Sequence, residues 1–517
     1  MLPTTIGLLA AALLWLAWLG GCATVIPVPT PRPETSPAPH IPWTPPPGAT
    51  PAPAPRKPVE IPEDLRRQAE SLTLAQVVDV ALRSSPLTRE AWQQARAAAA
   101  ELGARRAGYY PELDSEIDAR RSKSVALGGR AAFLQSTVGP ALALNYLLFD
   151  FGGRRADAEA ARRQLIAADF AHNAAIQDVV LQVERAYYQY LNAKALLAAE
   201  LSNLKGFQSN LEAADQRRRA GLATVADVLQ SRTALAQIEL NVASFRGQIQ
   251  SLRGALASAM GLPASVPFDV GELPAEVPAA AQAAAVEPLL ERALAGRPDL
   301  AAARSRALAA ADDVQKARSD TLPRLSLLGT YNRLSYLGTA AGPFNSSYSG
   351  SLVLSYPLFD GFQRRYRVRE AEANSELARA RVDDLETQVT LQVWTDYYNL
   401  KTAEQRLVTS RALMASATES EDAGLARYKA GVGSILDLLT AQSALANARA
   451  QEVQARADWF QSMAQLAHDT GSLGPATASP GGPAAANEAG GASIPEPAAG
   501  EPALEPSAAS PGKGQKR

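Results

Sequence analysis

Four short stretches of the chain alternate between bulky and small or polar residues. In the first, about residues 109–121, Tyr109, Leu113, Ile117 and Ala119 fall on one face, and Glu112, Asp114, Glu116, Asp118 and Arg120 on the other. In the second, about 137–149, Leu142, Leu144, Tyr146 and Leu148 alternate with Gly139, Ala141, Ala143 and Asn145. The third, about 323–335, sets Leu325, Leu327 and Tyr331 against Ser326, Thr330 and Asn332. The fourth, about 348–359, sets Leu352, Leu354 and Tyr356 against Ser351, Val353 and Ser355. Period-two alternation over about ten residues predicts strands with one apolar face, the pattern of membrane β-strands.

After each pair of strands the period changes. Ile176, Val180, Val183, Tyr187 and Tyr190 step by four and three, a heptad seam. It predicts a long helix over about 154–219, roughly 100 Å at 1.5 Å per residue. A glycine turn follows, then a returning helix over about 224–260. The second half repeats the plan, with a long helix over about 362–430 and a returning helix over about 434–470.

The halves are a tandem duplication, repeat one over 63–285 and repeat two over 286–471. Tyr110-Pro111 matches Leu322-Pro323, and Leu148-Phe149-Asp150 matches Leu358-Phe359-Asp360, each followed by a glycine and then Arg-Arg. Tyr187-Tyr188 matches Tyr397-Tyr398, and the stretch Arg217 to Leu229 matches Arg427 to Leu439. The offset is 212 residues early and 210 later, one small indel across the whole length. Each repeat opens with a helical stretch before its strands. The fold class expected is therefore mainly α with a β membrane part. Four strands cannot close a barrel, which needs about eight, so other copies must complete it. A trimer gives a twelve-stranded β-barrel continued by a long α-helical barrel.

Composition refines this at the ends of the chain. Residues Ile6 to Leu19 form an apolar run too short to span a bilayer but suited to a signal-peptide core. The run ends in Leu19-Gly20-Gly21-Cys22, which resembles a bacterial lipobox. That resemblance implies a signal peptide at 1–21 and a lipid, diacylglycerol with a fatty acyl (palmitate) chain, on Cys22. It also implies outer-membrane targeting, because Ala23 rather than an aspartate follows the cysteine. Met1–Thr5 lacks the usual Lys or Arg. Residues 22–62 are proline-dense and predict a semi-rigid spacer. The tail at 472–517 is rich in Ala, Gly, Pro, Ser and Glu and predicts disorder.

Charge and chemistry mostly exclude. Charged residues make up 20% and nearly cancel, with a formal net charge of -1, so no basic surface for nucleic acid is expected. Cys22 is the only cysteine, which rules out an intrachain disulfide. The three histidines, His40, His172 and His468, have no metal-ligand spacing. No phosphate loop, dinucleotide fingerprint or nucleophile elbow is present. No metal, cofactor or catalysis is expected, and the energy for transport must come from a partner.

Taken in order and twice over, these features resemble the TolC-like outer-membrane efflux family across about Leu72 to Gly471. The carrying features are the lipobox, the duplication, the Tyr-Pro strand entry, the Leu-Phe-Asp exits and the Gly-x5-Asp turns. The resemblance implies a homotrimeric channel-tunnel crossing the periplasm. It implies docking to a periplasmic adaptor and an inner-membrane transporter of the RND, ABC or MFS type. Read from the residues alone, Gly221 and Gly431 end the long helices in a left-handed conformation. Thr224-x-x-Asp227 and Ser434-x-x-Asp437 read as capping boxes.

The resemblance adds roles at the tip. Asp227 and Asp437 match pore-tip aspartates, and Tyr428 matches a tyrosine of the gate's bonding network, with Gln230 and Thr440 beside them. The sequence departs from the family at Thr440, where a second ring aspartate is usual, and at Gly433, where an arginine ties neighbouring helices. A weaker anionic constriction is therefore expected. The turns Gly221, Leu222, Ala223, Gly431, Val432 and Gly433 would meet the adaptor. Arg217, Arg218 and Arg219 read as complements to the helix dipole. Gly128-Gly129 reads as an extracellular loop. Two alternatives stand beside the efflux duct: a duct for type I protein or peptide secretion, and a structural coiled-coil lipoprotein bracing the envelope.

Overall fold

The computed structural model describes residues 71–126, 131–277, 285–337 and 345–473. Cys22, the signal peptide, the proline-rich spacer, Gly128-Gly129 and most of the tail lie outside the described residues. Repeat one comprises α1 (Leu74–Ser84), α2 (Pro86–Arg106), β1 (Glu112–Ala126), β2 (Ala131–Phe149), α3 (Gly153–Arg219) and α4 (Val225–Ala259). Repeat two comprises α5 (Val286–Gly296), α6 (Pro298–Ser319), β3 (Arg324–Leu337), β4 (Asn345–Ser355), α7 (Gln363–Lys429) and α8 (Ile435–Asp469).

Several element bounds differ from those expected, each for a local reason. The opening helical stretch is two helices in each repeat, because Ser85 and Arg297 take extended backbone ahead of Pro86 and Pro298. A proline disfavours the helical conformation in the residue before it. Tyr109 is not on the strand face: Ala107–Tyr109 forms a short 3-10 turn, and β1 starts at Glu112. β4 stops at Ser355 rather than near 359. Pro357 lacks the N–H a further ladder bond requires. α7 begins at Gln363, because Phe362 has a positive φ of 66°.

The strands form one antiparallel sheet in the order β1-β2-β3-β4, so the β2–β3 pairing joins the two repeats. The register places Glu112 opposite Asn145, Asp114 opposite Ala143, Glu116 opposite Ala141 and Asp118 opposite Gly139. One face is thus an acidic column beside small residues. The other face carries Leu113, Ile117, Tyr331, Tyr348, Leu352 and Leu354, all exposed. β1 and β4 are open edges.

The duplicated Leu-Phe-Asp motif builds the elbow from strand to long helix. Asp150 Oδ2 accepts from the backbone N–H of Arg154 at 2.6 Å, and the Arg154 side chain donates to the carbonyls of Leu147 and Leu148 at 2.6 and 3.1 Å. Asp360 accepts from Arg364 in the same way at 3.3 Å. The carboxylate satisfies an orphan donor at the helix start, and the arginine ties the helix back to the strand end.

α3 and α4 form one long hairpin and α7 and α8 another. Val180, Val183, Tyr187 and Tyr190 of the heptad seam are buried, while Ile176 is half-buried. Tyr188 stacks on Phe460 at 4.9 Å, which packs α3 against α8. Polar side chains add register: Asn192 donates to Gln454 at 2.7 Å, and Arg449 to Asn203 at 2.7 Å. Among the described residues no helix is long and apolar enough to cross a membrane.

Candidate functional site at the hairpin tips

Both long helices end alike. Gly221 and Gly431 have φ of 73° and 77°, a conformation open to glycine because it carries no Cβ. Leu222 N–H then donates to the Arg217 carbonyl at 2.8 Å, and Val432 N–H to the Arg427 carbonyl at 3.1 Å. These bonds close the last helical turn. Three residues after each glycine a capping box opens the return helix. Thr224 N–H donates to Asp227 Oδ2 at 2.7 Å, and Asp227 N–H to Thr224 Oγ1 at 3.2 Å. Ser434 and Asp437 repeat the exchange at 3.3 and 3.1 Å. Each aspartate is thereby fixed at a helix N-terminus, whose dipole favours a negative charge.

The tips converge on a small apolar core of Phe207 from α3, Ile238 from α4, Tyr428 from α7, and Ile435, Leu438 and Leu439 from α8. Around it Asp227 is half-buried, and Asp437, Gln230 and Thr440 are exposed. Thr440 Oγ1 donates to the Leu436 carbonyl of its own helix at 2.8 Å. Leu222 and Val432 stand 70% and 71% exposed, the apolar crowns of the two turns, with Ala223 and Gly433 half-buried beside them.

Tyr428 stands at the centre of the tips. Its ring is buried in the tip core, and its hydroxyl, also buried, has no hydrogen-bond partner among the described residues. Burial pushes the phenol pKa above its ordinary value, opposed by Arg217 and reinforced by Asp227. Two features escaped the sequence reading. Arg217 reaches across to α7, and Asn210, Gln442 and Glu421 form a polar chain behind the tip: Asn210 donates to Gln442, which donates to Glu421 at 3.1 Å. These are contacts between distant segments, for which the sequence carried no local signal. No cluster of metal-ligating side chains occurs among the described residues.

Residues 77–262 and 289–472 match the model of the outer membrane efflux protein family, one match to each repeat. The chain belongs to that family. CyaE of Bordetella pertussis is 32% identical to this efflux protein over 431 residues, 82% of this chain and 89% of that one. The outer membrane protein OprJ of Pseudomonas aeruginosa is 29% identical and covers 71% of this chain and 78% of its own. The solved structure of the outer-membrane channel OprN superposes with a TM-score of 0.70 at 23% identity, covering 77% of this chain and 90% of that one. This efflux protein is therefore an outer-membrane exit duct, which goes against the envelope-bracing alternative.

Proposed function

We propose that three copies of this chain form a passive duct with a twelve-stranded barrel in the outer membrane and a helical tunnel below it. The open sheet carries this reading. Its edges β1 and β4 present unpaired backbone groups, and its apolar face stands exposed. In lipid each unpaired group costs several kcal/mol, so further strands must close the sheet. Two copies would give eight strands, and side chains fill a barrel of that size. Three copies, twelve strands, are the smallest assembly that leaves a passage, with the acidic column of β1 lining it.

At the far end the hairpin tips form the constriction. Asp227 and Asp437, three copies of each, give it a negative field that favours cations, with Gln230, Thr440 and the Tyr428 ring around them. The turns Gly221–Ala223 and Gly431–Gly433 meet a periplasmic adaptor, which couples the duct to an inner-membrane RND, ABC or MFS transporter. The transporter supplies the energy, and the duct itself carries out no catalysis. A lipid on Cys22 assists anchoring. The purified protein should show the mass of three chains in detergent and a cation-selective conductance across a planar bilayer. A single-chain mass with no conductance would overturn the proposal.

A further inference from the structure

The two elbows from strand to long helix share a backbone plan and differ in what surrounds it. Each turn holds a phenylalanine in the left-handed region, Phe151 with a φ of 53° and Phe362 with 66°. That conformation is costly for any residue with a Cβ. Each ring meets the phenylalanine of its Leu-Phe-Asp motif edge-on, Phe151 with Phe149 at 4.7 Å and Phe362 with Phe359 at 5.6 Å. All four rings are exposed, at the end of the sheet where the helices begin. A strained backbone that keeps an apolar ring outside the core implies something outside the core that receives it. Aromatic rings at the rim of a membrane sheet sit at the level of the lipid headgroups.

The charge beside the rings differs between repeats. At the 210-residue offset, Asp157 and Glu159 of repeat one become Arg367 and Arg369. The acids of repeat one are paired, Asp157 with Lys316 and Glu159 with Arg163 at 3.2 Å. Arg365, Arg367 and Arg369 are exposed and have no carboxylate partner among the described residues. They lie in the first two turns of α7, where the helix dipole opposes a cation, so the helix itself does not account for them. Arg365 and Arg369, four apart, share one helix face and line a groove of about 550 Å³ with Arg318 and Arg364. The two carboxylates of the groove are engaged, Glu372 by Arg318 at 2.8 Å and Asp360 by Arg364 at 3.5 Å. Four arginines against two carboxylates leave an excess of two positive charges. The opposite wall is apolar, with Leu358 89% and Phe359 77% exposed beside Phe362. It runs on into the apolar sheet face through exposed Tyr356 and Leu354.

We propose that this groove binds one anionic phospholipid of the leaflet nearer the helices. Its phosphate sits between Arg365 and Arg369, and its acyl chains run along Leu358 and Phe359 onto the sheet. Charge and continuity select this occupant. The guanidinium forks match phosphate oxygens, basic pockets at a membrane boundary hold anionic headgroups, and the apolar wall leads onto the face that the sheet turns to lipid. A free phosphate would leave that wall bare. Repeat one, with Asp157 and Glu159 in the matching places, would repel the headgroup, so each chain carries one site. The proposal rests on the outer-membrane placement of the sheet.

Native mass spectrometry of the purified full-length protein in detergent, titrated with phosphatidylglycerol, phosphatidylethanolamine or inorganic phosphate, tests it. Phosphatidylglycerol should bind roughly 10-fold more tightly than phosphatidylethanolamine, which carries no net charge. Arg365→Gln and Arg369→Gln together should weaken phosphatidylglycerol binding by roughly 25-fold, about fivefold for each arginine. Arg369→Glu, the residue type of repeat one, should weaken it more than Arg369→Gln. Arg381→Gln, at an exposed arginine further along α7, should bind as wild type does. Phe362→Gly relieves the left-handed strain, so it should melt no lower than wild type and still hold long-chain lipid several-fold more weakly. Equal affinity for the two lipids, unchanged binding in the double Gln variant, or phosphate held as tightly as phosphatidylglycerol overturns the site. A double Gln variant that loses the assembled mass in lipid-free detergent makes the groove a contact between copies and overturns it as well. If wild type has the mass of three chains and conducts but shows no preference among lipids, the lipid site falls and the duct stands. If it has a single-chain mass and no current, yet Arg365 and Arg369 still select phosphatidylglycerol, the lipid site stands and the duct falls.

Discussion

The two repeats finish their return helices on the same backbone plan with opposite chemistry. After α4, Gly261 presses against Ser84 and Ser85; after α8, Gly471 presses against Gly296 and Arg297. Both glycines have positive φ. In repeat one the surroundings are apolar: Leu256, Met260 and Leu262 are buried, and Ser85 caps α2 through the Leu87 N–H at 3.2 Å. In repeat two an ionic cluster fills the equivalent place. Arg297, where repeat one has Ser85, grips Asp299 through two bonds of 3.1 and 2.7 Å, and donates to Gln392 at 2.7 Å and to the Asp469 carbonyl at 3.3 Å. His468 bridges Asp469 at 2.7 Å and Asp178 of α3 at 2.9 Å. At the 210-residue offset, His468 and Asp469 replace Ser258 and Ala259. Duplication has kept the backbone contact and left the side chains free to trade apolar packing for a charged lock between repeats.

The largest effect comes from breaking the lock. Arg297→Met takes the guanidinium from the half-buried Asp299 and from the Asp469 carbonyl, and should cost about 3 kcal/mol. Ser85→Ala at the matching position removes only a cap and should cost about 1 kcal/mol. Denaturant titration of both variants checks this, and equal losses would break the comparison. Next come the shared glycines. Gly261→Ala and Gly471→Ala should each cost about 2 kcal/mol from the left-handed backbone alone. Gly261 should be the worse, because its Cβ would lie 2.8 Å from the Ser84 carbonyl, against 3.1 Å from Gly296 at Gly471. Thermal melts that rank them the other way would put the tighter junction in repeat two.

The smallest effect is a pH dependence centred on His468 of repeat two. Burial disfavours the charged form of His468, but its hydrogen bonds to Asp178 and Asp469 outweigh this and lift its pKa to about 9. Burial likewise opposes ionisation of Asp469, yet His468 holds that carboxyl well below the usual range, while burial and Asp469 push Asp396 of α7 up. A raised histidine pKa stabilises the fold fully below the ordinary value of about 6.5. That contribution is lost as pH rises through about 9. The melting-temperature gap between wild type and His468→Gln should therefore shrink from pH 6 to pH 10. A constant gap would show that the cluster does not titrate there.

What the sequence revealed and what it hid divide by distance along the chain. The tip caps at Thr224 and Ser434, the glycines at 221 and 431, and the strand alternation depend on residues within a few positions of one another. Periodicity and spacing reveal such features. The Leu-Phe-Asp motif was visible only as a repeat, because the bond from Asp150 to the helix start appears once the chain turns. Tyr109 was misplaced because alternation does not register the turn that ends α2. Arg217 read as a dipole complement to its own helix, whereas it serves the end of α7, 211 residues away. His468 looked isolated because Asp178 is 290 residues distant. Ion pairs between repeats leave no mark on local pattern.

The open sheet also sets an order of events in the life of the chain. The helices of both repeats share a buried core within one chain, so that core can form as soon as the chain is available. β1 and β4 cannot be satisfied until neighbours arrive, and an exposed edge pairs with any strand it meets. The dangerous interval is therefore the time between release into the periplasm and the meeting of three chains. It shortens with concentration and with any tether that keeps chains on one surface. Assembly must come before insertion, because hydrocarbon offers an unfinished edge no water to fall back on.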